Sequence, residues 1–412
     1  MSAKVTQPTL AEFELAHQNV LKVAIETPIL KSNYLTKLTG NDVFLKCENL
    51  QRTGAYKLRG AYNRMSKLTP AERKKGVVAA SAGNHAQGVA LAARKLGIKA
   101  TIFMPIGASL PKLQATENYG AEVVLTGAVF AETLKAAQEY SAKKGAIFIP
   151  PFDHLDVIAG QGTVGLEILE QLEDVDNILV AIGGGGLAAG VATVAKLKAA
   201  SMGRKIKVIG VQAKNASPYV QSLKLGRPIE QQITRTIADG IAVSKPGAIP
   251  FALIKKNIDK VVTVSDDEIA KAIVVLLERS KMVVEPAGAV GVAAIMSGAV
   301  KLKGRTVVIL SGGNIDPLLL QKVVGHGLAA AERYTSISVM LPDRPGMLVK
   351  TAEAIASAHG NVVEVLHTRH GKGLEISEVE LKMSVETTGH DHRQRVLKAL
   401  QDAGLKARID EE

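Results

Sequence analysis

Lys57 stands in GAYKLRGA (54–61), with Tyr56 before it and glycines on either side. A lysine amine that is desolvated or set beside another charge becomes a nucleophile able to form a Schiff base with an aldehyde cofactor. Most lysines are solvated surface residues, so this motif gains meaning only from its companions. SAGNHAQG (81–88) puts small residues at a helix start, where the backbone around Ser81, Ala82, Gly83, Asn84 and His85 can converge N–H groups on a carboxylate. The Asn84 amide can add a hydrogen bond to a ring substituent. His85 reads as a helix-start hydrogen-bonder rather than a metal ligand, because no second histidine stands nearby at ligand spacing. The run Gly183, Gly184, Gly185, Gly186 and Leu187 lets a backbone wrap a phosphate at a helix N-terminus, the competing reading being a tight packing turn. It has neither the Lys-Ser or Lys-Thr pair of a P-loop nor the G-x-G-x-x-G spacing of a dinucleotide site. A fourth motif, SGGN (311–314), follows the apolar run TVVIL, and ligands bind at strand ends in open α/β sheets.

The elements that must position these motifs follow from the alternation of β-branched runs with helical stretches. VVAA (77–80), ATIFM (100–104), AEVVLT (121–126), ILVAI (178–182), KVIGV (207–211), VVTV (261–264) and TVVIL (306–310) predict strands. Helices are expected between them, among others over 85–96 and 131–144, each ended by a glycine, and over 267–280, capped by Ser265. Strand and helix in repetition imply parallel sheets with crossovers, an α/β fold. Composition agrees: 47% of the 412 residues are apolar but only 3% aromatic, with no Trp, so the cores are built from aliphatic residues and the length calls for more than one domain.

Composition also narrows function. The net charge of +12 comes without a run of five basic residues and with few aromatics for base stacking, so no nucleic-acid partner is expected; a solvated lysine-rich face or an anionic cofactor accounts for it. The longest apolar stretch, 178–195, is interrupted by its four glycines and predicts no membrane span. A single cysteine, Cys47, and an N-terminus without a secretory pattern predict a reducing, cytoplasmic setting.

Taken in order over roughly residues 10–325, GAYKLRGA, SAGNHAQG, GGGGL, VEPAGA (284–289) and SGGN resemble the serine and threonine dehydratases of the fold type II family of pyridoxal-phosphate enzymes. The resemblance implies a two-lobed catalytic domain over 1–329 that binds pyridoxal 5'-phosphate. It implies that Lys57 holds the cofactor and removes the substrate α-proton, with Tyr56 where the family usually has Phe. Asn84 would bond the phenolic oxygen, Gly183 to Leu187 the phosphate, and Ser311 the pyridine nitrogen. Ser81 to His85 would bind the substrate carboxylate. The implied reaction is L-threonine to 2-oxobutanoate and ammonia, with L-serine also accepted; the alternatives are a serine dehydratase, a β-replacing enzyme, or a non-catalytic amino-acid-binding regulator. Ala82 stands where racemases of the family carry a second serine, so racemisation is not expected. QAKNASPY (212–219) has no carboxylate where several relatives bind a divalent ion, so no metal is expected there. Glu285 and Gly240 are further candidates to line the site; Glu285 reads equally as the end of a strand or as a helix-start acid.

Beyond about Ala330 the expected order is strand (335–341), helix (347–359), strands (362–370 and 374–384), helix (391–403) and a short last strand. The charge balance changes there too, from 40 basic against 26 acidic residues to 11 against 13. This βαββαβ unit, with LPDRPGML (341–348), resembles the ACT family of amino-acid-binding regulatory domains and sets a second domain at 333–412. The resemblance implies an amino-acid effector, with Gly346 and Asn361 as candidate contacts, and a homo-oligomer, dimer or tetramer. His390 with His392, and His367 with His370, read as surface histidines rather than metal pairs.

Overall fold

The computed structural model describes residues 5–369 and 374–410. They fall into two compact units that part between Pro317 and Leu318, so the helix Pro317–Ala330, apart from its first residue, groups with the C-terminal unit, ahead of the expected boundary near Ala330.

Ten strands build the first unit: β1 (Ile29–Lys31), β2 (Val43–Lys46), β3 (Val77–Ala80), β4 (Ala100–Met104), β5 (Glu122–Leu125), β6 (Ile147–Phe148), β7 (Asn177–Ala181), β8 (Lys207–Ala213), β9 (Lys260–Val264) and β10 (Thr306–Ile309). They sort into a six-stranded sheet of order β1-β2-β10-β7-β8-β9, parallel except for β1, and a parallel four-stranded sheet of order β5-β4-β3-β6. All seven expected strands are present. The three that sequence patterning missed are β1, β2 and β6; β1 and β6, at three and two residues, are too short to show a period, and β2, VFLK, closes on a lysine rather than a β-branched run. β3, β4, β7 and β10 are buried along their whole length, as parallel strands covered by helices on both faces must be.

Glycines set how closely the helices approach the site. A Cβ on Gly88 would lie 3.0 Å from Leu58 N, and one on Gly160 would lie 2.6 Å from Arg59 O. The helix Lys57–Ser66 is thereby clamped between Asn84–Leu96 and Leu155–Gln171. Two expected elements differ. The helix expected over 267–280 is α-helical only over Asp266–Val275 and closes in a π-turn, Leu276–Ser280, before Lys281 adopts a left-handed φ of 58°. Residues 281–285 then form no strand, so Glu285 is the N-cap residue of the helix Pro286–Met296 and does not end a strand.

The second unit is a βαββαβ module whose strands β11 (Tyr334–Pro342), β12 (Asn361–Thr368), β13 (Glu378–Glu386) and β14 (Lys406–Ile409) pair antiparallel in the order β12-β13-β11-β14. Helices Met347–Ser357 and His390–Asp402 contribute Ile355, Val396 and Leu400 to a core with Ile337, Val339, Leu381 and Met383. The strand expected from Leu374 begins only at Glu378; Ile376, before it, is fully exposed. His390 pairs with Glu332 at 2.6 Å, and His392 accepts from Thr388 N and donates to Ala358 O, so each serves a structural contact. His367 lies near the end of β12, and His370 falls outside the described residues.

Candidate active site

Three of the four motifs follow the carboxyl ends of parallel strands, β3, β7 and β10, and the fourth opens the clamped helix at Lys57. Hydrogen bonds tie them into one frame. Tyr56 N donates to Ser311 O at 3.2 Å, and Gly313 N to Gly54 O at 2.8 Å. Asn314 Nδ2 donates to Thr53 O at 2.7 Å and to Asn84 Oδ1 at 2.8 Å. Asn84 Nδ2 in turn donates to Glu285 Oε1 at 2.7 Å, and Glu285 N to Gly312 O at 3.0 Å. Loops far apart in sequence therefore fix one another.

Lys57 Nζ donates to Pro151 O at 3.0 Å and lies 5.3 Å from the centre of the Tyr56 ring. Burial lowers its amine to about 8, against the upward pull of the Glu285 carboxylate. Near neutral pH, then, a useful fraction of Lys57 is the free amine. Burial also pushes the Tyr56 phenol well above its ordinary value, with the Glu285 charge adding to it. His85 is pushed down to about 3, by burial first and the Lys57 charge second, with the Ile149 carbonyl opposing. It is neutral, and since a carbonyl only accepts, Nε2 carries the proton donated to Ile149 O at 2.9 Å. Its Nδ1 is buried without a partner.

The SAGN turn is held from inside, Gly83 N donating to Ser81 Oγ at 3.1 Å, which leaves the Ser81 hydroxyl hydrogen for another acceptor. Ala82 and Gly83 are half-buried beside it. Gly185, the third of the four glycines, is the N-cap of the helix Gly186–Ser201 with φ of 99°. A Cβ on Gly184 would lie 2.2 Å from Phe152, and one on Gly185 would lie 2.0 Å from Tyr219 Oη, which itself donates to Gly184 O at 3.0 Å. The tight turn expected of the glycines is present, with side chains packed against the loop, and the first turn of the helix leaves the N–H groups of Gly186, Leu187 and Ala188 without intrahelical acceptors, as an anion site would need. Ser311 is 2% exposed, under the same frame. Gly240 lies beside Glu285, where its Cβ would be 3.6 Å from Glu285 Oε1.

This set fits pyridoxal phosphate. It offers an amine for the aldehyde, an amide donor, and a helix start stripped of side chains for the phosphate. Among the described residues no group of three His, Cys, Asp or Glu is placed to hold a metal ion. In the segment 212–219, Gln212 Oε1 accepts from Tyr219 N at 3.0 Å, and Asn215 Nδ2 donates to Arg235 O at 2.8 Å. Sequence reasoning missed Pro151 and Phe152, which lie in no motif, and gave no role to Tyr219, the last residue of QAKNASPY. It also gave Asn314 no role, although SGGN contains it. In the C-terminal unit Gly346 opens the helix Met347–Ser357 and lines a cleft of about 240 Å³ with Asp343, Arg344, His367 and Arg369. Asn361 is not among the residues of that cleft. It pairs with Glu386 at one end of β13, whereas Pro342, beside the cleft, pairs with Glu378 at the other.

A pyridoxal-phosphate dependent enzyme family profile matches residues 20–312, and an ACT domain profile matches 335–405. The chain is 44% identical over 402 residues to an L-threonine ammonia-lyase of Thermotoga maritima, covering 97% of this chain and 99% of that one. It is 46% identical over 390 residues to an L-threonine ammonia-lyase of Geobacter sulfurreducens, covering 94% and 96%. Among solved structures, threonine deaminase isoform 2 of Solanum lycopersicum superposes with a TM-score of 0.72 at 40% identity, covering 78% of this chain and 95% of that one. Maize serine racemase superposes with a TM-score of 0.73 at 34% identity, covering 77% and 97%. With the lysine, asparagine and SGGN motifs tied into one frame, and a family match across most of the catalytic unit, the chain belongs to the pyridoxal-phosphate dependent enzymes and carries an ACT domain C-terminal to its catalytic unit.

Proposed function

We propose that this chain is an L-threonine ammonia-lyase, converting L-threonine to 2-oxobutanoate and ammonia and accepting L-serine, with an amino acid regulating it through the C-terminal domain. The observation that carries the reading is the hydrogen-bonded frame that joins Tyr56, next to Lys57, with Asn84, Glu285, Gly312 and Asn314. The threonine ammonia-lyases it resembles over nearly the whole chain support the choice of substrate.

Pyridoxal phosphate, when bound, supplies the sink for the electron pair released at the substrate α-carbon. In this reading Lys57 tethers it, Asn84 donates to its phenolic oxygen, the N–H groups from Gly183 to Leu187 hold its phosphate, and the Ser311 hydroxyl meets its ring nitrogen. A hydroxyl there, unlike a carboxylate, does not enforce a protonated ring, which favours elimination over transamination. Lys57 Nζ, lowered to about 8, takes the α-proton. Ser81 Oγ and the N–H groups through His85 bind the substrate carboxylate and orient the Cα–H bond toward that amine. Loss of the β-hydroxyl as water leaves an enamine, and its hydrolysis yields the 2-oxo acid and ammonia. His85, neutral and committed to Ile149, holds the turn and moves no proton. Ala82 offers no acid or base to the opposite face of the α-carbon, which disfavours racemisation.

The C-terminal cleft at Gly346 combines a helix start with Arg344 and Arg369, chemistry suited to an amino-acid carboxylate. Isoleucine is the first effector to test and valine the second; the chain acts as a homo-oligomer in the cytoplasm. Among the described residues no helix is long and apolar enough to cross a membrane. Steady-state formation of 2-oxo acid from L-threonine and L-serine, with D-serine followed in parallel, tests the reading. It expects the larger kcat/KM for threonine and no D-serine; racemisation outpacing elimination would overturn it.

A further inference from the structure

Glu285 is a buried carboxylate, 7% exposed, to which the reaction above gives no role. It stands at the N-cap of the helix Pro286–Met296 yet makes no side-chain bond to that helix. Its Oε1 turns instead to Asn84 Nδ2, 2.7 Å away. Two neighbours flank it there: its own N–H donates to Gly312 O, and the lack of a side chain at Gly312 and Gly240, whose Cβ would lie 2.4 Å and 3.6 Å from Oε1, leaves room for the carboxylate.

The other end of the Asn84 amide is fixed as well. Thr53 O is a carbonyl and only accepts, so the Asn314 atom facing it at 2.7 Å is nitrogen. That same nitrogen lies 2.8 Å from the inner end of the Asn84 amide, which must therefore be the oxygen Oδ1. The Asn84 nitrogen then faces Glu285, an acceptor when ionised. Both ends of the chain from Thr53 through Asn314 and Asn84 to Glu285 finish on acceptors, and only one orientation of the amide satisfies all of its bonds. An amide nitrogen carries two hydrogens, and Glu285 takes one.

We propose that Glu285 is a positioning residue: with Asn314 it locks the Asn84 amide so that its second N–H is presented to the phenolic oxygen of pyridoxal phosphate. This rests on the assignment of Asn84 to that oxygen. Without the lock the amide rotates or flips, and the donor is lost for part of the time.

The test compares Glu285→Ala, Glu285→Gln, Asn84→Ala and the double variant Glu285→Ala/Asn84→Ala. The readout is the dissociation constant of pyridoxal phosphate, titrated into cofactor-free enzyme by its visible absorbance, with kcat and KM for L-threonine beside it. Glu285→Ala should weaken cofactor binding about ten-fold, the worth of one good hydrogen bond. Glu285→Gln, whose side-chain oxygen still accepts from Asn84, should stay within about two-fold of the parent. The double variant should bind as Asn84→Ala does, because Glu285 acts through Asn84. Undiminished binding by Glu285→Ala, equal damage by Glu285→Gln, or losses that multiply in the double variant would each overturn the proposal. Should Glu285→Ala not fold, Asn314→Ala opens the other end of the lock, and its coupling to Asn84→Ala decides in the same way. A parent chain that takes up no pyridoxal phosphate would instead overturn the cofactor assignment on which the lock rests.

Discussion

Arg59 lies two residues beyond Lys57 and is wholly buried. Its guanidinium forks onto Glu48, at 2.8 Å to each carboxylate oxygen, and onto Glu167, with one bond at 2.9 Å. Lys46, equally buried, donates to Glu167 at 2.6 Å and to Thr27 O at 2.7 Å. Two cations and two carboxylates leave this cluster neutral, and Thr27 Oγ1 adds a further bond to Glu48. Arg59→Met would leave two buried carboxylates facing one ammonium, an uncompensated charge that costs about 3–5 kcal/mol. At about 2 °C per kcal/mol for a unit this large, the melting transition of the catalytic unit should fall by roughly 6–10 °C. Scanning calorimetry of the cofactor-saturated protein measures it. Adding Glu48→Leu restores neutrality, so the double variant should melt above Arg59→Met alone. A single variant within about 1 kcal/mol of the parent, or a double variant whose losses simply add, would refute the charge-balance reasoning.

Three further outcomes follow from the same structure. Capture of pyridoxal phosphate by cofactor-free enzyme needs the neutral Lys57 amine, whose pKa is lowered to about 8; the stopped-flow rate should rise with pH and level off above about 8, and a rate still climbing toward the ordinary lysine pKa would contradict the lowered value. Gly185→Ala places a Cβ at φ of 99° and 2.0 Å from Tyr219 Oη, so equilibrium dialysis should find cofactor affinity down at least ten-fold. Truncation before Leu318 removes the C-terminal unit with its own core, so 2-oxo acid formation should persist while any response to isoleucine disappears; a response that survives truncation would place the effector site elsewhere.

The chemistry-bearing loops were legible because each is local. Lys57, Asn84, the four glycines and Ser311 sit in short runs whose residue types are unusual and whose flanking strands are strongly apolar. What joins the loops was not legible. The Asn84–Glu285 and Asn84–Asn314 bonds span 201 and 230 residues, and no periodicity connects such positions. The two readings left open for Glu285 show the limit, since the helix-start position was right in kind while its side chain ignores the helix to serve Asn84. Phe152 behind Gly184 had no signal at all, because a glycine tells of a close approach but not of what approaches. Register hid the relation between Gly346 and Asn361: each opens an element, but the antiparallel pairing puts them toward opposite ends of the sheet.

The central claim, that Lys57 is the residue through which this chain turns L-threonine into 2-oxobutanoate, is tested most directly by one comparison. Purified parent and Lys57→Ala proteins, each supplied with excess pyridoxal phosphate and shown to melt alike, are assayed for 2-oxobutanoate release from L-threonine. The account predicts steady turnover by the parent and none above background by the variant, which lacks both tether and base. Turnover by Lys57→Ala at a rate near that of the parent, or a parent that releases no 2-oxobutanoate, would contradict it.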